Sequence, residues 1–300
     1  MSYFILSFDG GGVRGALSAE LMERLGSKVV ERADLFAGTS TGAFIALGLA
    51  AGLAAQDLVD LYAKAGPKLF TPAKGPLERL LGLEARYTNA ALKKELEAIF
   101  IKSGLDPHGP LSQLKKNVVV IAFKLKDQKT GRWEPVILSN QSDVSIIDAA
   151  LMSSAAPSYF PSYKGHIDGG VCANNPSVAA LSLAVSLGHT LDEISLLSIG
   201  TGFVEHDLSK QEAWGALKWI VNLFGPKAAS SHPLVSLFYD AEEELASINC
   251  KHLLGSRFFR LNTKMKKGIR LDDVMAIETL IELGKKADLK GAVDWLRVRA

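Results

Sequence analysis

Short runs of apolar, β-branched and aromatic residues recur along the chain, separated by segments with helical spacing. The runs 3–8, 34–37, 117–126, 134–138, 194–199 and 256–261 predict strands. Several are apolar throughout, as strands covered on both faces are. Helices are predicted over 16–25, 41–51, 56–65, 89–101, 145–152, 176–187, 212–224, 233–248 and 272–283. This alternation predicts an α/β fold with helices on both faces of a parallel or mixed sheet. Thr88 is placed to cap one helix, and Asn175 followed by Pro176 to open another. The segment 66–86, with Pro67, Pro72, Pro76, Gly66, Gly75 and Gly82, is the least regular. It reads either as a cap or lid loop or as a plain surface excursion.

With 300 residues, 48% of them apolar and 22% charged, the chain has an ordinary globular composition. General disorder is excluded, and roughly three quarters of the unfolded surface can be buried. No repeat divides the chain, and its length suits one large domain or two small ones. Thirty-four basic against 32 acidic side chains, a net charge of +2, gives no support for nucleic acid as a partner. Two cysteines, Cys172 and Cys250, exclude a disulfide scaffold and suggest a reducing compartment, so a cytoplasmic location is expected. The opening apolar run has no basic segment before it, so no secretory leader is expected. The longest small-residue apolar stretch, 43–58, is interrupted by Asp57 and is too short to span a membrane. A mean hydropathy of +0.15 suits a well-buried core or a protein that touches lipid.

Three local patterns carry candidate chemistry. Asp9-Gly10-Gly11-Gly12-Val13-Arg14-Gly15 follows the first predicted strand and opens a helix. Bare amides at a helix N-terminus hold negative charge. The turn could cradle a dinucleotide phosphate, with Glu31 or Asp34 as the ribose ligand, or form an oxyanion hole. Asp34 begins its strand instead of ending it, which disfavours the nucleotide use. Gly38-Thr39-Ser40-Thr41-Gly42 lies between a short strand and an Ala/Leu-rich helix, the setting of a nucleophile elbow; a plain helix-capping turn is the alternative. A serine nucleophile needs a base. Of the six histidines, His108, His166, His189, His206, His232 and His252, only His166 is near another candidate. That candidate is Asp168, which with Gly169 and Gly170 reads as a carboxylate on an exposed turn.

Together and in this order the three motifs resemble the patatin-like phospholipase family. The segment from Ser154 to Phe160, and Asn174-Asn175-Pro176, strengthen the resemblance, which covers about residues 3–202. Residues 203–300 carry no recognised motif and are assigned by continuity, so the resemblance implies a single hydrolase domain over 1–300. The resemblance implies a three-layer α/β/α fold with a mainly parallel central sheet and a Ser–Asp dyad that hydrolyses acyl esters of glycerolipids. Ser40 is then the nucleophile, Asp168 the base, and the Gly10, Gly11 and Gly12 amides the oxyanion hole. Arg14 either draws a substrate phosphate or neutralises a carboxylate such as Asp9.

A carboxylate is a poor base at its ordinary pKa of about 4, so Asp168 has either to be tuned by its surroundings or to share a strong hydrogen bond with Ser40. No metal or other cofactor is implied, because no acidic or histidine cluster has ligand spacing. The partner expected is a glycerophospholipid or another acyl-ester lipid, with peripheral membrane contact. The segment 214–224, with Trp214 and Trp219, and the cluster Lys264, Lys266, Lys267 and Arg270 are candidates for that contact; a buried helix and a solvated basic loop are the alternatives. An acyltransferase using the same dyad and a nucleotide-binding regulatory protein are the competing functions. An activator that moves 66–86 is a further expectation.

Overall fold

The computed structural model describes residues 2–73, 84–205, 215–220 and 233–299. Among the described residues, seven strands form one sheet: β1 (Tyr3–Phe8), β2 (Leu35–Thr39), β3 (Asn117–Lys124), β4 (Glu134–Ser139), β5 (His166–Asp168), β6 (Ile194–Ile199) and β7 (Phe258–Leu261). The order is β4-β3-β2-β1-β6-β7. β1, β2, β3, β6 and β7 run parallel, and β4 is antiparallel to β3. β2 ends at Thr39 opposite Ile121, and the antiparallel β5 takes over the same side of β3 at Ala122.

Strand parity sorts the side chains into two cores. Phe4, Leu6, Phe8, Phe36, Val118 and Val120 enter one; Tyr3, Ile5, Leu35, Ala37, Val119 and Ile121 enter the other. Successive side chains point to opposite faces, so a strand buried on both sides must be apolar throughout. The first face is covered by α1 (Gly15–Leu25), α3 (Thr41–Ala50), α4 (Ala55–Asp60), α7 (Ile146–Ser153), α11 (Ile277–Lys286) and α12 (Lys290–Arg299). The second is covered by α8 (Ser177–Ser186) and α10 (Pro233–Leu254). The result is the expected mostly parallel sheet between two helical layers. β7 adds a strand from the C-terminal third to the same sheet.

Every residue of α3 is buried, which explains its Ala/Leu-rich composition without a polar face. α6 (Asn89–Lys102) follows Thr88, whose side chain makes no cap bond, whereas the Asn175 Oδ1 accepts the Ser177 amide at 3.1 Å. The predicted helix 56–65 is α4 continued by a π-helical turn, Leu61–Ala65. The predicted helix 272–283 starts later, at Ile277, after a 3-10 turn. α10 runs on to Leu254. Three α-helices and one strand escaped prediction: α2 (Ser27–Arg32), α5 (Gly66–Leu69), α12 and β5. The segment 66–86 opens with the short helix α5 (Gly66–Leu69), and its residues 74–83 lie outside the described residues. Of the predicted helix 212–224, residues 216–220 form α9 (Ala216–Ile220), and 212–214 and 221–224 lie outside. Among the described residues, no helix is long and apolar enough to cross a membrane.

Candidate active site

β1 and β2 end side by side, and the two glycine-flanked turns leave the sheet there, at the carboxyl ends of parallel strands. Ser40 sits between β2 and α3 with φ 55° and ψ −121°, a conformation L-residues rarely adopt. Its flanking glycines are required by close approach. A Cβ on Gly38 would lie 2.2 Å from the Gly42 carbonyl oxygen, and one on Gly42 would lie 2.2 Å from that of Phe8. The turn is pinned from β3 as well. The Ser40 amide donates to Ser153 Oγ at 2.8 Å, and that hydroxyl donates to the Ile121 carbonyl at 2.5 Å.

Asp168 ends β5. Its amide donates to the Ala155 carbonyl at 3.0 Å, and its Oδ1 accepts the Gly170 amide at 2.7 Å. The side chain is buried, which corrects the expectation of an exposed turn. Burial pushes its pKa up to about 6; the Ser40 hydroxyl, close enough to bear on its proton affinity, and the Gly170 amide work against that rise. Tyr239, on the inner face of α10, stands 2.9 Å from where a Cβ on Gly170 would fall. Burial and the Asp168 charge both push the Tyr239 phenol up.

The glycine turn faces the elbow: a Cβ on Gly10 would lie 3.4 Å from the Ser40 Cβ. The Gly10 amide donates to the Asn174 carbonyl at 3.0 Å, so it is already engaged. This removes Gly10 from the three amides expected to be bare. Its carbonyl accepts Thr201 Oγ1 at 3.0 Å and Asn174 Nδ2 at 3.3 Å. In a trans peptide the next N–H points the opposite way, so this clamp turns the Gly11 amide outward from Asn174 and Thr201. The Gly11 carbonyl accepts the Arg14 amide at 3.1 Å, which fixes the Gly12 amide in the same manner. Neither the Gly11 nor the Gly12 amide has a protein acceptor among the described residues.

A buried charge cluster lies behind the turn. Arg260 of β7 donates to Asp9 Oδ2 at 2.5 Å, to Ser198 Oγ at 2.8 Å and to Glu243 Oε2 at 3.3 Å. Asn174 Nδ2 donates to Glu243 Oε1, and the Asn175 amide donates to Glu242 Oε2 at 2.9 Å. Burial raises the Asp9 carboxyl, and Arg260 works against it. Burial and the Asp9 charge raise Glu243; burial brings Glu242 to about 7.

The elements thus bring Ser40, Asp168 and the glycine turn together. Asp9 is bonded by Arg260, while Arg14, expected to neutralise it, acts on it through its charge alone and donates Nε to the Gly11 carbonyl at 3.4 Å. Asp34 Oδ2 accepts the Phe4 amide at 2.8 Å at the opposite end of the sheet from the glycine turn. Glu31 is exposed on α2, at that same end. Neither reaches a ligand on the turn. His166 Nδ1 is bonded to the Lys164 carbonyl at 2.8 Å, His189 stacks on Tyr3, and His108 meets Glu97 at 3.0 Å. His252 is exposed, and His206 and His232 lie outside the described residues. In the basic cluster, Lys264 pairs with Glu205 at 2.7 Å and Arg270 with Asp272 at 3.0 Å, leaving Lys266 and Lys267 exposed. On α9, Lys218 is exposed and Trp219 half-buried. Sequence reasoning missed Ser153, Thr201, Tyr239, Glu243 and Arg260. None stands in a motif, and each reaches the site from far along the chain.

The family model for the patatin-like phospholipases matches residues 6–181. A putative sporulation hydrolase, CotR, of Bacillus subtilis (strain 168) is 30% identical, over 97% of this chain and 96% of its own. A cGAMP-activated phospholipase of Pseudomonas aeruginosa is also 30% identical, over 96% of this chain and 86% of its own. The chain belongs to the patatin-like phospholipase family, and with it to the lipid hydrolases.

Proposed function

We propose that this chain cleaves fatty acyl esters of glycerophospholipids, as a phospholipase A or lysophospholipase, through an acyl-enzyme on Ser40. The observation that carries this reading is the pairing of a serine on a strained elbow with a buried, pKa-raised Asp168, with the glycine turn facing the same serine. Ser40 Oγ attacks the ester carbonyl while Asp168 takes its proton. The charge on the carbonyl oxygen falls to the Gly11 and Gly12 amides, held in advance by the Gly10 and Gly11 carbonyl bonds. As the intermediate collapses, Asp168 returns the proton to the departing alcohol. Water then attacks the acyl-serine, Asp168 accepts its proton, and Ser40 leaves as the restored hydroxyl with the fatty acid.

A pKa of about 6 leaves Asp168 mostly ionised at neutral pH and makes it a stronger base than an ordinary carboxylate. Arg14 bonds no carboxylate among the described ion pairs, but its charge works against the burial-raised Asp9 and Glu243 carboxyls, which supports the neutralising side of its two expected roles.

The test is incubation of the purified chain with a fluorescent alkyl phosphonate, followed by peptide mass mapping, together with product analysis on phosphatidylcholine vesicles. A phosphonyl adduct on Ser40 and release of free fatty acid support the reading. Labelling elsewhere, or none, contradicts it. Acyl esters of an added alcohol in place of free acid would make the chain an acyltransferase.

A further inference from the structure

We infer that Asp272 is a positioning residue that holds the glycine turn in register with the loop leading into Asp168. The inference rests on the hydrolase reading above. Asp272 lies in no motif, and its carboxylate is only 5% exposed. It accepts the Tyr87 hydroxyl at 2.9 Å, Arg86 Nη1 at 3.3 Å, and Arg270 Nε and Nη2 at 3.0 and 3.1 Å. Burial alone would raise this carboxyl, but Arg270, Tyr87 and Arg86 more than offset it and hold it below the ordinary carboxylate range.

One side of Asp272 leads to the oxyanion turn. The carbonyl of Leu271, the residue before it, accepts the Val13 amide at 2.9 Å. The same oxygen lies 2.2 Å from where a Cβ on Gly12 would fall, so it backs the turn directly. Gly12 has φ +57°, and nothing but glycine fits against that carbonyl without strain.

The other side leads to the base. The Arg86 amide donates to the Ser158 carbonyl at 3.2 Å, and the Tyr87 amide to the Tyr159 carbonyl at 2.8 Å. The Arg86 guanidinium lies over the Tyr159 ring, 5.4 Å from its centre. Ser158 has φ +72°, a conformation that persists only when its surroundings impose it. Ser158 and Tyr159 belong to the connection between α7 and β5, and the Ala155 carbonyl of that connection accepts the Asp168 amide. One carboxylate therefore ties the two halves of the site together. Because the two arginines stay largely in solvent, these pairs add little stability. Their effect here is geometric, because the reacting groups tolerate little displacement.

The test uses the full chain with Asp272→Asn, Asp272→Glu and Tyr87→Phe. The readouts are kcat and KM on a soluble short-chain p-nitrophenyl ester, the rate of Ser40 phosphonylation and the thermal midpoint. Asp272→Asn keeps an acceptor for Tyr87 but loses the charge for both arginines. Its kcat is expected to fall about tenfold, with KM within about twofold of wild type, since roughly 1 Å of misplacement costs up to a hundredfold. Phosphonylation is expected to slow in step, Asp272→Glu to recover part of the loss, and Tyr87→Phe to show a smaller loss. An unchanged kcat in Asp272→Asn, a rise in KM alone, or a kcat loss accounted for by unfolded protein overturns the inference while the hydrolase reading stands. A wild type that neither turns over the ester nor accepts the phosphonate overturns the hydrolase reading, and the inference falls with it.

Discussion

Arg260 and Asp9, 251 positions apart in sequence, meet at 2.5 Å directly behind the glycine turn. Asp9 is fully buried, and its second oxygen has no hydrogen-bond partner among the described residues. The edge strand β7 thus supplies the cation for the residue on which the glycine turn begins.

Removing that cation leaves a buried carboxylate uncompensated. Arg260→Ala is expected to lower stability by about 3–5 kcal/mol, the usual cost of breaking a buried pair from one side. Asp9→Asn in the same chain should recover a large part of this, because the orphaned charge is gone. Urea unfolding of the two single variants and the double variant checks it. Strictly additive losses would show that the pair does not act as a unit.

Gly42 packs against the end of β1, so its substitution should be costly where that of an open glycine is not. A Cβ there meets two backbone oxygens, Phe8 at 2.2 Å and Asp9 at 2.7 Å, and neither can swing aside. Gly42→Ala is expected to cost at least about 2 kcal/mol through overpacking. Gly268, with nothing within 4 Å of its Cβ position, should accept alanine within about 0.5 kcal/mol. Denaturation midpoints of the two variants are the measurement.

The raised Asp168 carboxyl predicts two pH dependences of opposite sign. Activity needs the ionised base, so kcat/KM should fall as pH drops through about 6. Stability runs the other way. A carboxyl raised from 3.8 to about 6 contributes stability that is present below about pH 4 and lost as pH rises through about 6. Asp168→Asn should therefore be inactive yet more stable than wild type by up to about 3 kcal/mol above pH 6, with the difference closing toward pH 4. Unfolding curves across that range, beside a pH–rate profile, test both signs.

The glycine turn and the elbow were legible in the sequence because each is a local event: a few glycines at a strand end, with a helix behind. β1, β2, β3 and β6 were legible for a related reason, since burial on both faces writes itself as a continuous apolar run. β5 was not, because three residues are too few to show a pattern, and with it went the burial of Asp168. Tyr239 and Glu243 project from one face of α10, and Arg260 from β7. Only the packing of the C-terminal third against the glycine turn gives these residues a role. Long-range charge pairing of this kind leaves no local mark in the sequence.

The central claim is that Ser40 and Asp168 act as a dyad without histidine. The most direct test is fatty acid release from phosphatidylcholine vesicles by wild type, Ser40→Ala, Asp168→Ala and His166→Ala. His166 is the control because it is the histidine nearest Asp168 in sequence, and its Nδ1 is bonded to the Lys164 carbonyl. Loss of activity in both Ser40→Ala and Asp168→Ala, with wild-type rates in His166→Ala, is the predicted result. Activity that survives Asp168→Ala but is lost in His166→Ala would contradict the account.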